Sequence, residues 1–481
     1  MNFGGKILIL GYGSVAQCFI PLLIKYGGIS PKKIIVLDAL DKRDLIHEYT
    51  QQGLQFFQIT MDQNNYQTHL QAYLKEEDFL IDLALNIATL DLLQWCYDHS
   101  VYFLNSALIS WSSSPWAAAS SPAEALEDNL YLIIQKLKNK LGATGPTAVI
   151  THGANPGLSA HFIKKGLSDI AIKILEKNPT DTRKKDLEKA LQDHNYMQLA
   201  YLEGIKTIHI SEHDRQLIHP PKKPNEFVNT WSPSALMQEC MELCQIGWGT
   251  HELQLPPQFY AQKEVPHYIS LPNRSLNTLL YSWVPAGDII GMLVPHEDIF
   301  ELTVRLSNYA NGAVTYSPTI CYVYRMCDSA IISLQELAMR HLVPQETWRV
   351  ATKEIIGGSD QLGALLMGHD FTSWWAGSIL SIEQANSLAS GQNACTMQVA
   401  AGLFGAFDFI TKNPRKGICT PFDLPHEEIL NSAMPFLGDF ISQPVDWSPL
   451  SIANSLRNYQ TPAYTLHEQW QFKTFIYQEK L

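Results

Sequence analysis

The chain opens on a short run, Lys6–Leu10 (KILIL), whose apolar positions are continuous and stop against Gly11-Tyr12-Gly13. Such a run reads as a strand buried on both faces. The period then changes. Val15, Phe19, Leu22 and Leu23 recur at helical spacing across about Ser14–Lys25, and Ile34–Leu37 returns to an unbroken apolar run ending in Asp38. The alternation persists to residue 150, with strands at Gly53–Ile59, Phe79–Leu83, Val101–Leu104 and Thr147–Ile150. Helical patterns lie between them at about Asp41–Thr50, Asn64–Leu74 and Leu90–His99. This order predicts an α/β fold, a Rossmann-type doubly wound parallel sheet over residues 1–150. Trp111–Pro122 reads as a loop, and Ala123–Leu141 as a longer helix.

Beyond Ile150 the texture is mixed. Thr207–Ser211 alternates polar and apolar, Leu279–Val284 and Gly291–Pro295 look like strands, and Glu176–Glu188 is a charged insertion. Cys240 and Cys244 are placed one turn apart on a helix. Residues 151–392 are read as a second, mixed α+β domain for substrate and dimerisation. Asn393–Lys412, rich in small residues and closed by Gly417, is expected to return to the first domain, completing it over about 393–420. Residues 421–481 are expected to form a helical tail.

Composition narrows the class. At 481 residues, 46% hydrophobic and 17% charged, the chain suits a two-domain globular protein. The N-terminus lacks the pattern of a signal peptide, and no apolar run approaches the roughly 20 residues that span a bilayer. Eight scattered cysteines with no C-x-x-C pair suit a reducing, cytoplasmic setting. A net charge of −12 argues against nucleic acid and suits a cationic ligand.

The glycine turn supplies the first chemistry. Gly11 permits the turn, and Gly13, with Tyr12, Ser14 and Val15, lets backbone approach a pyrophosphate at the start of the next helix. Asp38 at the tip of the second strand can accept from both ribose hydroxyls and would repel a 2′-phosphate, favouring NAD over NADP. Asn86 and Asn155 complete the expected cofactor contacts. Asn155 lies in His152–Gly157 (HGANPG), directly after the last strand of the first domain, where ligand crevices form. It reads either as a site residue or as the N-cap of a helix opened by Pro156.

Other candidates follow. His209-Ile210-Ser211-Glu212-His213 matches a zinc-peptidase spacing, but that motif needs a helix and this segment has the period of a strand. No metal is predicted. Glu212 at the strand's end projects into a cleft or begins a surface turn. Trp231, set among polar residues in Phe227–Ser232, is a core ring or a pocket wall able to hold a cation, worth roughly 0.5–2 kcal/mol. Glu239, Glu252 in Gly247–Glu252 (GWGTHE), His296, Asp298 and Asp360 add acids and a base after turn signals. Taken singly, each acid reads as surface charge.

HGANPG, IHISEHDRQ, FVNTWS, GWGTHE, PHEDI and DQLGALLMGHD together resemble the bacterial homospermidine synthases, relatives of saccharopine dehydrogenase, from Lys6 to at least Trp447. The resemblance implies an NAD-dependent transferase that joins two putrescines, or putrescine and spermidine, and releases ammonia, recycling its NAD. It implies that Trp231 holds a cationic amine or iminium and that Glu212 and Glu239 bind ammonium groups and shuttle protons. Asn155, His296, Asp298 and Asp360 complete the pocket of a homodimer. Two departures stand out: Ile109-Ser110-Trp111 where relatives place an acid before Pro-Trp, and Asp298 where they often carry Glu. The alternatives are a reductase like saccharopine or carboxynorspermidine dehydrogenase, with Arg215, Arg274 or Arg305 meeting a carboxylate, and an inactive NAD-binding regulatory protein.

Overall fold

The structure, a computed structural model, describes residues 3–111, 130–142, 144–455 and 463–477. The loop expected at Trp111–Pro122, after its first residue, and the start of the helix expected at Ala123 lie outside these residues; Leu130–Leu141 is helical.

Seven parallel strands form the first sheet, in the spatial order Ile418–Cys419, Ala148–Val149, Tyr102–Asn105, Phe79–Asp82, Ile7–Leu10, Ile34–Asp38 and Gln55–Gln58. The Ile7–Leu10 strand is buried throughout, as its continuous apolar run requires. Strand order reverses beside it, so the crevice at its carboxyl end is the expected ligand site.

The second sheet has ten strands. Its centre is Thr207–Asp214, parallel to Thr319–Arg325 on one side and antiparallel to Ser359–His369 on the other. Helix Leu158–Lys177 packs across Ser359–His369 and Thr372–Ser381. The C-terminal segment is not wholly helical. Asp439–Val445 is a strand that adds to the edge of this sheet beside Thr372–Ser381. Cys240 and Cys244 also part company: the helix stops at Met241 and Cys244 lies in the strand Leu243–Gly247.

Helix Ala394–Lys412 lies between the two layers. It packs on helix Ser14–Lys25 and on the Tyr102–Asn105 strand of the first sheet, and also on both long strands of the second. It is 19 residues long and apolar, but 89% of its apolar window is buried inside the protein. Gly402 explains the closeness: a Cβ there would fall 2.0 Å from the Gly153 carbonyl oxygen, so only glycine lets this helix touch the HGANPG backbone. The chain then adds Ile418–Cys419 as the seventh strand of the first sheet.

Candidate active site

One cavity of about 940 Å³ runs from the glycine turn to the ends of the central strands of the second sheet. At its first end Gly13, Ser14, Val15 and Ala16 form the wall, with Leu40 and Lys42 beside them. Gly11, at φ 85°, turns so tightly that a Cβ would lie 2.8 Å from the Leu83 carbonyl oxygen. A Cβ on Gly13 would meet nothing within 4 Å, and the helix that follows has neither a side-chain cap nor an acid in its first turn. Its leading N–H groups are thus available to an anion. Asp38 accepts from the Tyr12 and Leu40 backbone N–H groups, each at 2.7 Å, which fixes its carboxylate at the strand tip. These features fit a dinucleotide. Tyr12 contributes through its backbone, since its ring is buried and is not part of the cavity wall. Asn86 is exposed in the turn after Phe79–Asp82 and does not line the cavity.

At the other end Glu212, Trp231, Glu239, His296 and Asp360 all face the same space, joined by Asn155 between the two ends. Asn155 is not a helix cap. The helix starts at Leu158, capped by Gly157 at φ 125°, and the Leu158 N–H bonds the Gly153 carbonyl. Both Asn155 amide atoms are buried and have no hydrogen-bond partner among the described residues. A buried amide without a partner is costly, so this one is set for a ligand.

Glu212 reaches the cavity because it lies on the face of Thr207–Asp214 opposite His209 and Ser211, which bond Ser282 behind the sheet. The strand bears out the period-two reading over the zinc motif. Carboxylate oxygens of Glu212 and Asp360 and the Cys395 sulfur all lie within 4.8 Å of one another. Asp360 is 1% exposed, and neither of its oxygens has a hydrogen-bond partner among the described residues. Burial, with Glu212 and Asp214 nearby, drives its pKa well above the usual carboxylate range. Burial likewise lifts Glu212 to about 7, opposed by a hydrogen bond from the Tyr322 hydroxyl, and lifts Glu239 to about 8. Glu242, one helical turn on, rises to about 7 for the same reason.

His296 is the counterweight. Burial works to lower its pKa, but Asp298, with Glu297 and Glu239 beyond, overrides this and holds it at about 10. Asp298 does not line the cavity; it acts through His296. Trp231 is partly buried, and its indole N–H donates to the Tyr324 hydroxyl at 3.0 Å. Glu252 belongs elsewhere. It accepts from the Thr319 hydroxyl and the Phe472 backbone N–H, tying the C-terminal segment to the sheet. None of the three candidate arginines is in the cavity wall: Arg274 bonds the Met241 carbonyl, Arg305 pairs with Asp423, and Arg215 stands outside it. Tyr322, Tyr324 and Cys395, which the sequence reading passed over, sit in apolar-looking strand and helix positions that give no outward sign of a site. Ser110 lines the cavity within the departing Ile109-Ser110-Trp111 segment, while the Trp111 indole bonds Asp91.

The family profile of the saccharopine dehydrogenase NADP binding domain matches residues 7–149, and that of the saccharopine dehydrogenase C-terminal domain matches 153–441. Homospermidine synthase from Mesorhizobium japonicum is 31% identical over 93% of this chain and 91% of its own. That of Blastochloris viridis is 30% identical over 93% and 92%. The chain belongs to the homospermidine synthase family. In keeping with this, the crystal structure of a homospermidine synthase from Legionella pneumophila in complex with NAD matches with a TM-score of 0.87 and 33% identity, over 99% of both chains. Saccharopine dehydrogenase from Saccharomyces cerevisiae, at 12% identity and a TM-score of 0.51, shares the fold. Within this family the doubly wound sheet and the mixed second sheet are the expected pair.

Proposed function

We propose that the protein is an NAD-dependent homospermidine synthase, joining two putrescines, or putrescine and spermidine, with release of ammonia. The observation that carries the reading is the cavity itself: Glu212, Glu239 and Asp360, all with raised pKa, converge beside an indole and open onto a dinucleotide crevice. These acids outnumber the one cation that faces them among the described residues, a His296 already engaged by Asp298, which suits a substrate that brings its own positive charges. A dehydrogenase acting on amino-acid conjugates would need a free cation for the carboxylate; among the described residues the wall holds no arginine, His296 is already paired with Asp298, and Lys42 lies at the glycine-turn end.

The Gly13–Val15 turn would receive the pyrophosphate, and Asp38 the adenosine ribose, where its charge opposes a 2′-phosphate even though the matching family profile carries NADP in its description. NAD, when bound, supplies a hydride acceptor and returns the hydride later in the same cycle. The residues do the rest. Glu212 and Asp360 ionise as an ammonium group enters and become its counter-ions. Trp231 offers its face to the cation. Glu239 and His296 flank the second amine. With Nδ1 held by Asp298, the His296 Nε2 is the nitrogen left to hold or pass a proton. Asn155 supplies a donor and an acceptor between the two ends. The enclosing wall keeps bulk water from a cationic imine that it would hydrolyse.

A cytoplasmic homodimer belongs to the same reading, and the eight cysteines, all buried free thiols, support a reducing compartment. Incubation of purified protein with NAD and putrescine, followed by polyamine chromatography, is the test. Homospermidine without net NADH is expected; stoichiometric NADH, or no triamine, rejects the synthase.

A further inference from the structure

Tyr322 and Tyr324 stand two residues apart on the strand Thr319–Arg325, so both side chains leave the same face. Their rings stack, centroids 5.8 Å apart and planes 14° apart. Each ring ends on a different member of the site. The Tyr322 hydroxyl donates to Glu212 Oε2 at 2.6 Å, and the Tyr324 hydroxyl accepts from Trp231 Nε1 at 3.0 Å. Tyr322 also meets the His296 imidazole edge-to-face, centroids 5.4 Å apart. Both tyrosines are buried, and their strand is locked in parallel register to Thr207–Asp214, with Tyr324 opposite Glu212.

A glutamate on a strand and a partly buried indole each have rotamers to choose among. Anchored to two stacked rings on one strand, they lose that choice together. We propose that Tyr322 and Tyr324 are positioning residues that fix the Glu212 carboxyl and the Trp231 ring at one separation, and so set where an amine sits between anion and π-face. This rests on the reading of the cavity as a diamine site. A cation shared between an ion pair and a ring face gains from both only when the two are correctly spaced. Around Glu212 stand Asp214 on its own strand, Asp360, Glu239, His296 and Cys395 from neighbouring elements. Among these, the Tyr322 phenol is a neutral donor that favours the carboxylate.

Tyr324→Phe deletes the hydroxyl that receives the indole N–H. It is expected to raise the KM for putrescine by about tenfold in the wild-type background, and by less than about twofold in Trp231→Phe, whose ring has no N–H to anchor. Equal losses in both backgrounds overturn the proposal. Tyr322→Phe is expected to move the acid limb of kcat/KM upward by about half a pH unit or more, with Tyr324→Phe leaving that limb in place. A limb unmoved in Tyr322→Phe rejects its share. One readout needs no turnover. The Trp231 indole N–H resonance, assigned by its loss in Trp231→Phe, should move upfield in Tyr324→Phe, and an unmoved resonance rejects the contact. If the wild type makes no triamine while the resonance moves, the diamine reading fails and the anchoring stands.

Discussion

His296 Nδ1 lies 2.8 Å from one oxygen of Asp298, and the other oxygen of that carboxylate accepts from the Ser159 hydroxyl at 2.6 Å. Both oxygens of Asp298 are therefore committed, one of them to its histidine. Asp298→Asn should let burial win and bring the His296 pKa down from about 10 into or below the neutral range. Imidazole NMR titration, with the resonance assigned by its absence in His296→Gln, checks this. A titration still near 10 would show that Glu297 and Glu239 suffice.

The raised acids tie stability to pH. A carboxyl whose folded pKa exceeds its unfolded value contributes fully below the unfolded value, and the contribution is lost as pH rises through the folded one. For Glu212 and Glu239 that window runs from about 4.5 to about 8. The melting temperature of the unliganded protein should thus fall as pH rises from about 5 to about 8, and Glu239→Gln should flatten the fall. Thermal-shift curves across that range decide it; parallel slopes for wild type and variant would place the effect elsewhere.

The same acids must give up protons when a diamine binds. Putrescine binding at pH near 7 should release protons, and its affinity should rise as pH climbs toward about 8. Calorimetry in buffers of different ionisation enthalpy measures the release directly. An enthalpy independent of buffer would mean that the acids were already ionised.

Trp231→Ala should cut turnover by about 10- to 100-fold while NAD affinity holds, and Trp231→Phe should retain more, because the face of the ring carries the effect. Equal activity in all three proteins would reduce the indole to a wall.

Asp38→Ala should weaken NAD binding by about tenfold and narrow its preference over NADP, as read from fluorescence titration with both cofactors. Unchanged affinity would sever Asp38 from the ribose.

The first sheet was legible up to Ala148–Val149 because those features are local, whereas its seventh strand, Ile418–Cys419, comes from far along the chain and was not read. The KILIL run, the glycine turn and the terminal acid of Ile34–Asp38 all specify themselves within a few residues. Glu212 was legible in part, since the period-two pattern excluded the zinc motif and put the acid near a strand end. Asn155 did not escape: its place after the last strand of the first domain marked it as a site candidate, and the alternative reading as a cap fails because the Gly153–Gly157 turn delays the helix to Leu158. What escaped was long-range. Glu252 shared the loop signature of a site acid, but its partners lie 67 and 220 residues away. Tyr322 and Tyr324 read as ordinary strand aromatics, and their meaning depends on groups 110 and 93 residues distant.

The helix Ala394–Lys412 and the strand Ile418–Cys419 have a consequence for how the molecule is made. The nucleotide layer emerges first during synthesis, yet its last strand and the helix covering Ser14–Lys25 arrive only after almost the whole second domain has been translated. Until then the nascent sheet has an unpaired edge at Ala148–Val149 and a bare apolar helix face, both open to wrong partners. Two domains in the finished protein are thus one unit in its biogenesis, and a chain cut short before residue 394 loses the closure of its first half along with its C-terminus.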